Sequence, residues 1–213
     1  VGFKNDPTEA TTALVEYLHQ ITTKGNNTLV KEISKAILDN TLNASQQHFR
    51  LAGLKALAQV DPDATLVTLI KERGRFDDEY KKEVLKIAAP SAGSAKAMKL
   101  WQKEYKKATG ADQADILRML AKANHKESFV EAMLLPALSS KNKFVRITAA
   151  SEIASYRNKK YTPALLDYLL RSTDADELAL AQSALLQVAD KETDGLVAQK
   201  IESAQSKNKI ALL

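Results

Sequence analysis

VRITAASEIA, residues 145–154, has four counterparts elsewhere in the chain: LAGLKALAQV (51–60), YKKEVLKIAA (80–89), DILRMLAKA (115–123) and LALAQSALLQVA (178–189). Each carries a large aliphatic residue followed by alanine: Leu57-Ala58, Ile87-Ala88, Leu120-Ala121, Ile153-Ala154 and Val188-Ala189. Successive alanines are 30, 33, 33 and 35 residues apart. After each comes a residue that stops a helix or caps the next one: Asp61-Pro62, Pro90, Asn124, Asn158 or Asp190. A near-constant period of this length marks tandem structural units.

Between these segments lie second helices with amphipathic patterns, at 64–72, 94–108, 127–140, 162–172 and 193–205. Thr162 with Pro163 has the form of a helix start, a capping hydroxyl followed by a ring already set at helical φ. Residues 8–21 and 28–40 fit one further, less regular pair, as a terminal unit with one neighbour fewer should be. The unit is therefore a helical hairpin of roughly 33 residues whose alanines admit close helix approach; one hairpin cannot bury its own apolar stripe, so hairpins stack. The approximate repeats run 8–40, 44–73, 77–109, 111–140, 142–172 and 174–207, with a further helix starting over 208–213, all within one domain spanning 1–213. Two near-identical stretches fit this frame. SSKNKFV (139–145) and QSKNKIA (205–211) lie 66 residues apart, two repeats, each as the turn into a first helix.

Composition agrees. Apolar residues make up 45% of the 213, aromatics only 6%, and Gly (7) and Pro (5) are rare, which suits helices and argues against a sheet. Cysteine is absent, which removes disulfides, thiolate nucleophiles and cysteine metal sites together. The longest apolar run, 132–138, is seven residues long with a proline inside, so no membrane span is expected. The net charge of +5 is divided as about +4 in residues 1–110 and +1 in 111–213, which is mild for a nucleic-acid binder. Val1 stands where an initiator Met would, and the last residues enter a helix pattern. The expectation is a piece of a longer, exported bacterial protein, with a cytoplasmic setting as the alternative.

NKFVRITAASEIASY with YTPALLDYLLRS resembles the short bacterial form of the HEAT repeat, the form also found in phycobilisome-lyase-like proteins. Val145, Arg146, Ala149, Ala150, Ile153, Pro163, Ala164, Leu165, Leu169 and Leu170 fall on its pattern, and residues 48–72 match again with Arg50 in the arginine position. Other units depart: Lys81 or Lys82 stands in for the arginine in one, and residues 176–178 offer none in another. The resemblance implies an all-α, right-handed α-α superhelix, a solenoid of about six HEAT-like hairpins, with second helices lining its concave surface. Of activity it says almost nothing.

KAMKLWQKEYKKA (96–108) interleaves five lysines with Trp101 and Tyr105. Basic residues among aromatics can mean phosphate contacts plus base stacking. At 100° per residue, however, Ala97, Leu100, Trp101 and Ala108 form an apolar stripe, the lysines cluster opposite, and Tyr105 sits at the border. Trp101 then points into the stack. On the surface implied by the resemblance, Lys99, Lys103, Lys106 and Tyr105 would meet Thr68 and Lys71 on one side and Asp167 and Arg171 on the other. The mixed signs argue against a nucleic-acid track and for a protein or acidic-polymer partner, or a neighbouring domain of the same chain.

Other chemistry is sparse. His19, His48 and His125 have no His or Cys partner at metal spacing, and Asp77, Asp78 and Glu79 sit where carboxylates favour a helix start. No cofactor, metal or catalytic set is expected. The expected function is a non-catalytic interaction or scaffold module. The alternatives are a basic HEAT-like DNA-binding protein or alkylpurine DNA glycosylase, which would need groove-facing aromatics beside a carboxylate and arginine, and a chromophore lyase.

Overall fold

The structure, a computed structural model, describes residues 10–203. The second Ser-Lys-Asn-Lys turn and the helix expected over 208–213 lie outside them. Among the described residues the chain is all-helical, without a strand. The helices are α1 (Ala10–Thr23), α2 (Asn27–Asn40), α3 (Gln47–Val60), α4 (Pro62–Glu72), α5 (Asp78–Ala88), α6 (Ala95–Lys107), α7 (Gly110–Ala123), α8 (127–137), α9 (Lys143–Ser155), α10 (Thr162–Arg171), α11 (Ala175–Val188) and α12 (Lys191–Ser203). The chain divides into two compact units, Val1–Glu104 and Tyr105–Leu213, with the boundary inside α6.

Within the first unit α3 packs on α1 and α5 on α3, so odd-numbered helices form one row; α2 lies against both α1 and α3, and α4 against both α3 and α5. The second unit repeats the row of odd-numbered helices. There α9 packs on α7 and on α11, α8 lies against α9, and α10 lies against α11 and α12. In the first unit α2 and α4 thus each close over the seam between two odd-numbered helices, as hairpins do when each borrows its neighbour's apolar face. The alanines are the contact points. Ala88, Ala121, Ala149, Ala150 and Ala154 are buried, with Leu120, Ile153 and Val145 beside them. The two outermost of the five expected alanines differ: Ala58 is half-buried and Ala189, just past the end of α11, is exposed. Gly53 serves the same end in α3, where an added Cβ would stand 3.2 Å from Ile37 of α2.

Polar side chains repeat the period. Lys31 pairs with Asp61, Lys143 with Asp176, Lys160 with Glu127, and Lys200 with Asp167. Asn142 donates to the Gly110 carbonyl, Asn158 to Glu127, and the Tyr156 hydroxyl to the Asn124 carbonyl. These partners are 30 to 33 residues apart, one repeat. Side chains one repeat apart therefore bridge adjacent hairpins in the manner that i,i+4 pairs bridge adjacent helical turns.

Breaks fall near the expected residues. Asp61 caps α4 by accepting from Ala64 N, with Pro62 in the first turn; Asn124 ends α7 with its amide on the Leu120 carbonyl; Asn142 caps α9 by accepting from Phe144 N. The start of α10 differs from expectation. Thr162 is already helical and its buried hydroxyl caps nothing; the chain is turned by a 3₁₀ segment, Lys159–Tyr161, which Asn158 caps through Lys160 N. In α8 the Val130–Leu134 turn widens to π geometry just before Pro136. Proline brings no N–H and its ring crowds the carbonyl four residues back, so the Leu135 N–H reaches to Val130 instead.

Two ionic clusters, the first buried and the second partly buried, organise the units. In the first, Arg50 of α3 forms a two-pronged contact with Glu72 at the end of α4 (Nε–Oε2 2.5 Å, Nη2–Oε1 2.7 Å), and the Tyr80 hydroxyl of α5 donates to the same carboxylate at 2.9 Å. Arg50 Nη1 donates to the Leu38 and Thr41 carbonyls at the end of α2. In the second, Arg146 of α9 grips Glu177 of α11 (2.7 and 2.8 Å), Tyr168 of α10 donates to Glu177 at 3.0 Å, and Arg146 Nη1 donates to the Ser140 carbonyl. Arg50 thereby satisfies carbonyls that the end of α2 leaves open, and Arg146 satisfies one in the turn that leads into α9. The acid and the phenol have changed places. The residue 22 positions after the arginine is Glu72 in one cluster and Tyr168 in the other, and the residue 30 or 31 after is Tyr80 or Glu177.

Burial opposes the charge on Glu72, but the hydrogen bonds from Arg50 and Tyr80 outweigh it and hold the carboxyl below its ordinary range. On Glu177 the Arg146 hydrogen bond dominates in the same direction. Burial first, and then the bond to glutamate, raise both Tyr80 and Tyr168, so both stay protonated donors.

Ala149→Leu and Ala150→Leu should each destabilise the fold by about 1–3 kcal/mol in urea denaturation, because each methyl meets a filled interface. Glu72→Gln should cost on the order of 3 kcal/mol at neutral pH, since Arg50 stays buried without its counter-charge. The pH dependence has a fixed sign. Both glutamates titrate lower folded than unfolded, so the unfolded chain binds more protons in acid. The melting temperature of the parent should therefore fall as pH drops below the ordinary glutamate range of about 4.3. A Glu72→Gln/Glu177→Gln variant should show a lower plateau and a shallower fall.

Candidate interaction face on helices α4 and α6

Helix α6 divides its residues by chemistry. Trp101 is fully enclosed and is among the largest fully buried side chains; Ala97 is buried with it and Leu100 half-buried. Lys96, Lys99, Lys103, Lys106 and Lys107 are all exposed. Tyr105 is half-buried, its phenol raised by that burial, while its backbone carbonyl accepts from Gln113 at 3.2 Å. The expected arrangement, tryptophan inward and lysines outward, is the observed one. The helix ends at Lys107, so Ala108 completes the stripe only from the following residue.

Two tethers fix α6 alongside α4 within the first unit. Near their starts Lys96 Nζ reaches the Asp63 carbonyl at 3.3 Å; near their ends Arg73 faces Glu104 at 3.8 Å, with both side chains mostly buried. The two helices therefore run side by side in the same direction. Thr68 is half-buried on α4, and Lys71 is exposed. Of the expected site residues, Thr68, Lys71, Lys99 and Lys103 thus share one pair of adjacent helices.

The rest belong to the second unit. Asp167 and Arg171 share α10, but neither side chain is spare: Asp167 pairs with Lys200 at 2.9 Å, and Arg171 donates to the Asp167 carbonyl and to Ser139 Oγ, both at 3.1 Å. The negative charge expected to balance the lysines is already matched from α12, 33 residues later. Lys71, Lys99, Lys103 and Lys106, in contrast, carry no ion pair among the described residues.

Sequence reasoning missed Val67, which is 50% exposed on α4. The signal was present, because Leu66 and Leu69 claim the buried side and a residue one step from Leu66 must turn away from it. It also missed the Arg73–Glu104 tether, which no local spacing announces.

Elsewhere the chemistry is structural. A depression of about 840 Å³ at the turn end of α3 and α5 is lined by Lys55, Gln59, Asp63, Glu83, Lys86 and Ser94, and Glu83 pairs with Lys86 inside it. Opposite charges there neutralise one another. Asp77 caps α5 through Tyr80 N, and Asp78 pairs with Lys81, as expected for acids at a helix start. His19, His48 and His125 are exposed, and among the described residues no group of three or more His, Cys, Asp or Glu side chains could hold a metal. No helix among them is long and apolar enough to cross a membrane.

Trp101→Ala should destabilise the chain by about 3–5 kcal/mol, the cost of emptying a core aromatic site, whereas Lys99→Ala and Lys103→Ala should each change stability by less than about 0.5 kcal/mol in the same melts. No protein-family model and no curated protein sequence matches this chain.

Proposed function

We propose that this chain is a HEAT-like repeat module that works by binding a protein partner or a neighbouring domain, not by catalysis, and that its hairpins continue one right-handed solenoid. The observation that carries the reading is how its charges are used. The ionic groups Arg50, Glu72, Arg146 and Glu177, three of them buried and Arg146 partly so, are consumed in holding hairpins together. A set of unpaired lysines is left displayed on α6 and α4. A charge held in a two-pronged, fully bonded cluster serves architecture; a displayed one is available to a partner.

The resemblance to the short bacterial HEAT repeat is supported by the two arginines at its arginine position, each tying one hairpin to the next. The DNA-repair alternative would need groove-facing aromatics, and the single tryptophan is enclosed in the core and offers no base a stacking surface.

The test is to assay the purified chain for excision of alkylpurines from methylated duplex DNA and for salt-dependent duplex binding, beside a Lys99→Glu/Lys103→Glu variant. The module reading expects no turnover and only weak, salt-sensitive DNA affinity, lowered further by the charge reversal. Measurable excision, or tight duplex binding at near-physiological salt, would overturn it.

A further inference from the structure

We infer that the α4–α6 face of the first unit is a docking strip for an acidic peptide segment carrying an aliphatic side chain. This rests on the reading of the chain as a binding module and names the chemistry of what it binds.

The strip follows from two exposed rows. On α4, Ala64, Val67 and Lys71 are exposed at i, i+3 and i+7; on α6, Lys96, Lys99 and Lys103 are exposed at the same spacing. The Lys96–Asp63 and Arg73–Glu104 tethers hold the two helices in parallel, so the rows lie beside each other about one helix diameter apart. Val67 is then an apolar point flanked by the cationic row of α6 and by Lys71 at the next turn.

The strip is not neutralised from within. Of the carboxylates on α4 and α6, Glu72 is buried against Arg50, and Glu104 is mostly buried against Arg73, leaving Asp63 at the N-terminal end of the strip. Charge complementarity therefore selects an anionic occupant.

Three features favour a peptide over a nucleic acid. Trp101 is buried and Tyr105 half-buried, so the strip presents no aromatic platform. Val67 offers an aliphatic contact that a phosphate backbone cannot use. The lysines recur at helical-turn spacing, about 5–6 Å, and carboxylates at i and i+4 of an acidic helix have the same spacing.

The test is fluorescence anisotropy of the whole chain with a labelled peptide of repeated Glu-Glu-Leu-Glu blocks, at near-physiological salt. Saturable binding is expected, weakened about tenfold by Lys99→Glu/Lys103→Glu and clearly weakened by Val67→Ser, with unchanged melting temperatures. Lys126→Glu/Lys141→Glu, which removes the same charge from exposed positions of the second unit, should leave binding unchanged. Replacing the peptide leucines by serine should also weaken it. Absence of peptide binding would overturn the inference. So would equal loss in the control variant, or tighter binding of oligothymidine or phosphatidylserine vesicles through the same lysines. If the peptide fails while no alkylpurine excision is found, the strip falls and the module reading stands; excision removes both.

Discussion

The buried arginine is the constraint on which each unit turns. A guanidinium taken from water has to be given a carboxylate and enough acceptors for its remaining hydrogens, or it costs several kcal/mol. Arg50, and the partly buried Arg146, meet that demand with atoms from three places: a carbonyl of the segment that precedes their own helix, a glutamate from a later helix, and a tyrosine that donates to that same acid. One side chain thus specifies how three consecutive elements meet. The apolar contacts around it supply most of the burial, but they would tolerate sliding; a two-pronged ion pair does not.

The outer bridges work at lower stakes. Lys143 with Asp176, or Lys200 with Asp167, are substantially exposed pairs that add little stability each. Their value lies in recurrence. Spaced at one repeat, they align hairpin on hairpin at the surface while the alanines do so in the core. Where the chain departs from regularity it does so for a local reason, as at Pro136, which removes a donor and widens one turn of α8.

The helices and most of their ends were legible in the sequence because aliphatic-alanine pairs at a near-constant interval and short-range caps are local signals. Trp101 could be placed inward from its angle on the helix alone. What lay beyond reach was partnership across hairpins. Nothing near Glu177 announces that it answers Arg146, and the residue at the corresponding place in the other unit is a tyrosine. Asp167 read as a displayed acid because its partner, Lys200, comes a full repeat later. Thr162 read as a cap because Thr-Pro is a common helix start, whereas Asn158 had already turned the chain. The candidate lysines were found correctly as exposed. Their isolation from acids depends on who neutralises whom, which is a property of the fold.

The exchange of glutamate and tyrosine between the two clusters makes the hairpins non-interchangeable. Splicing α3–α4 in front of α11 would bring Glu72 and Glu177 to one arginine, two carboxylates against a single cation. Splicing α9–α10 in front of α5 would surround an arginine with Tyr168 and Tyr80 and leave it no anion. Tandem copies of a gene segment recombine readily with one another, and a solenoid built of identical hairpins would accept the products. Here the two junctions that carry these clusters each recognise only their own successor, so exchanging one for the other is met by a charge imbalance beside the core.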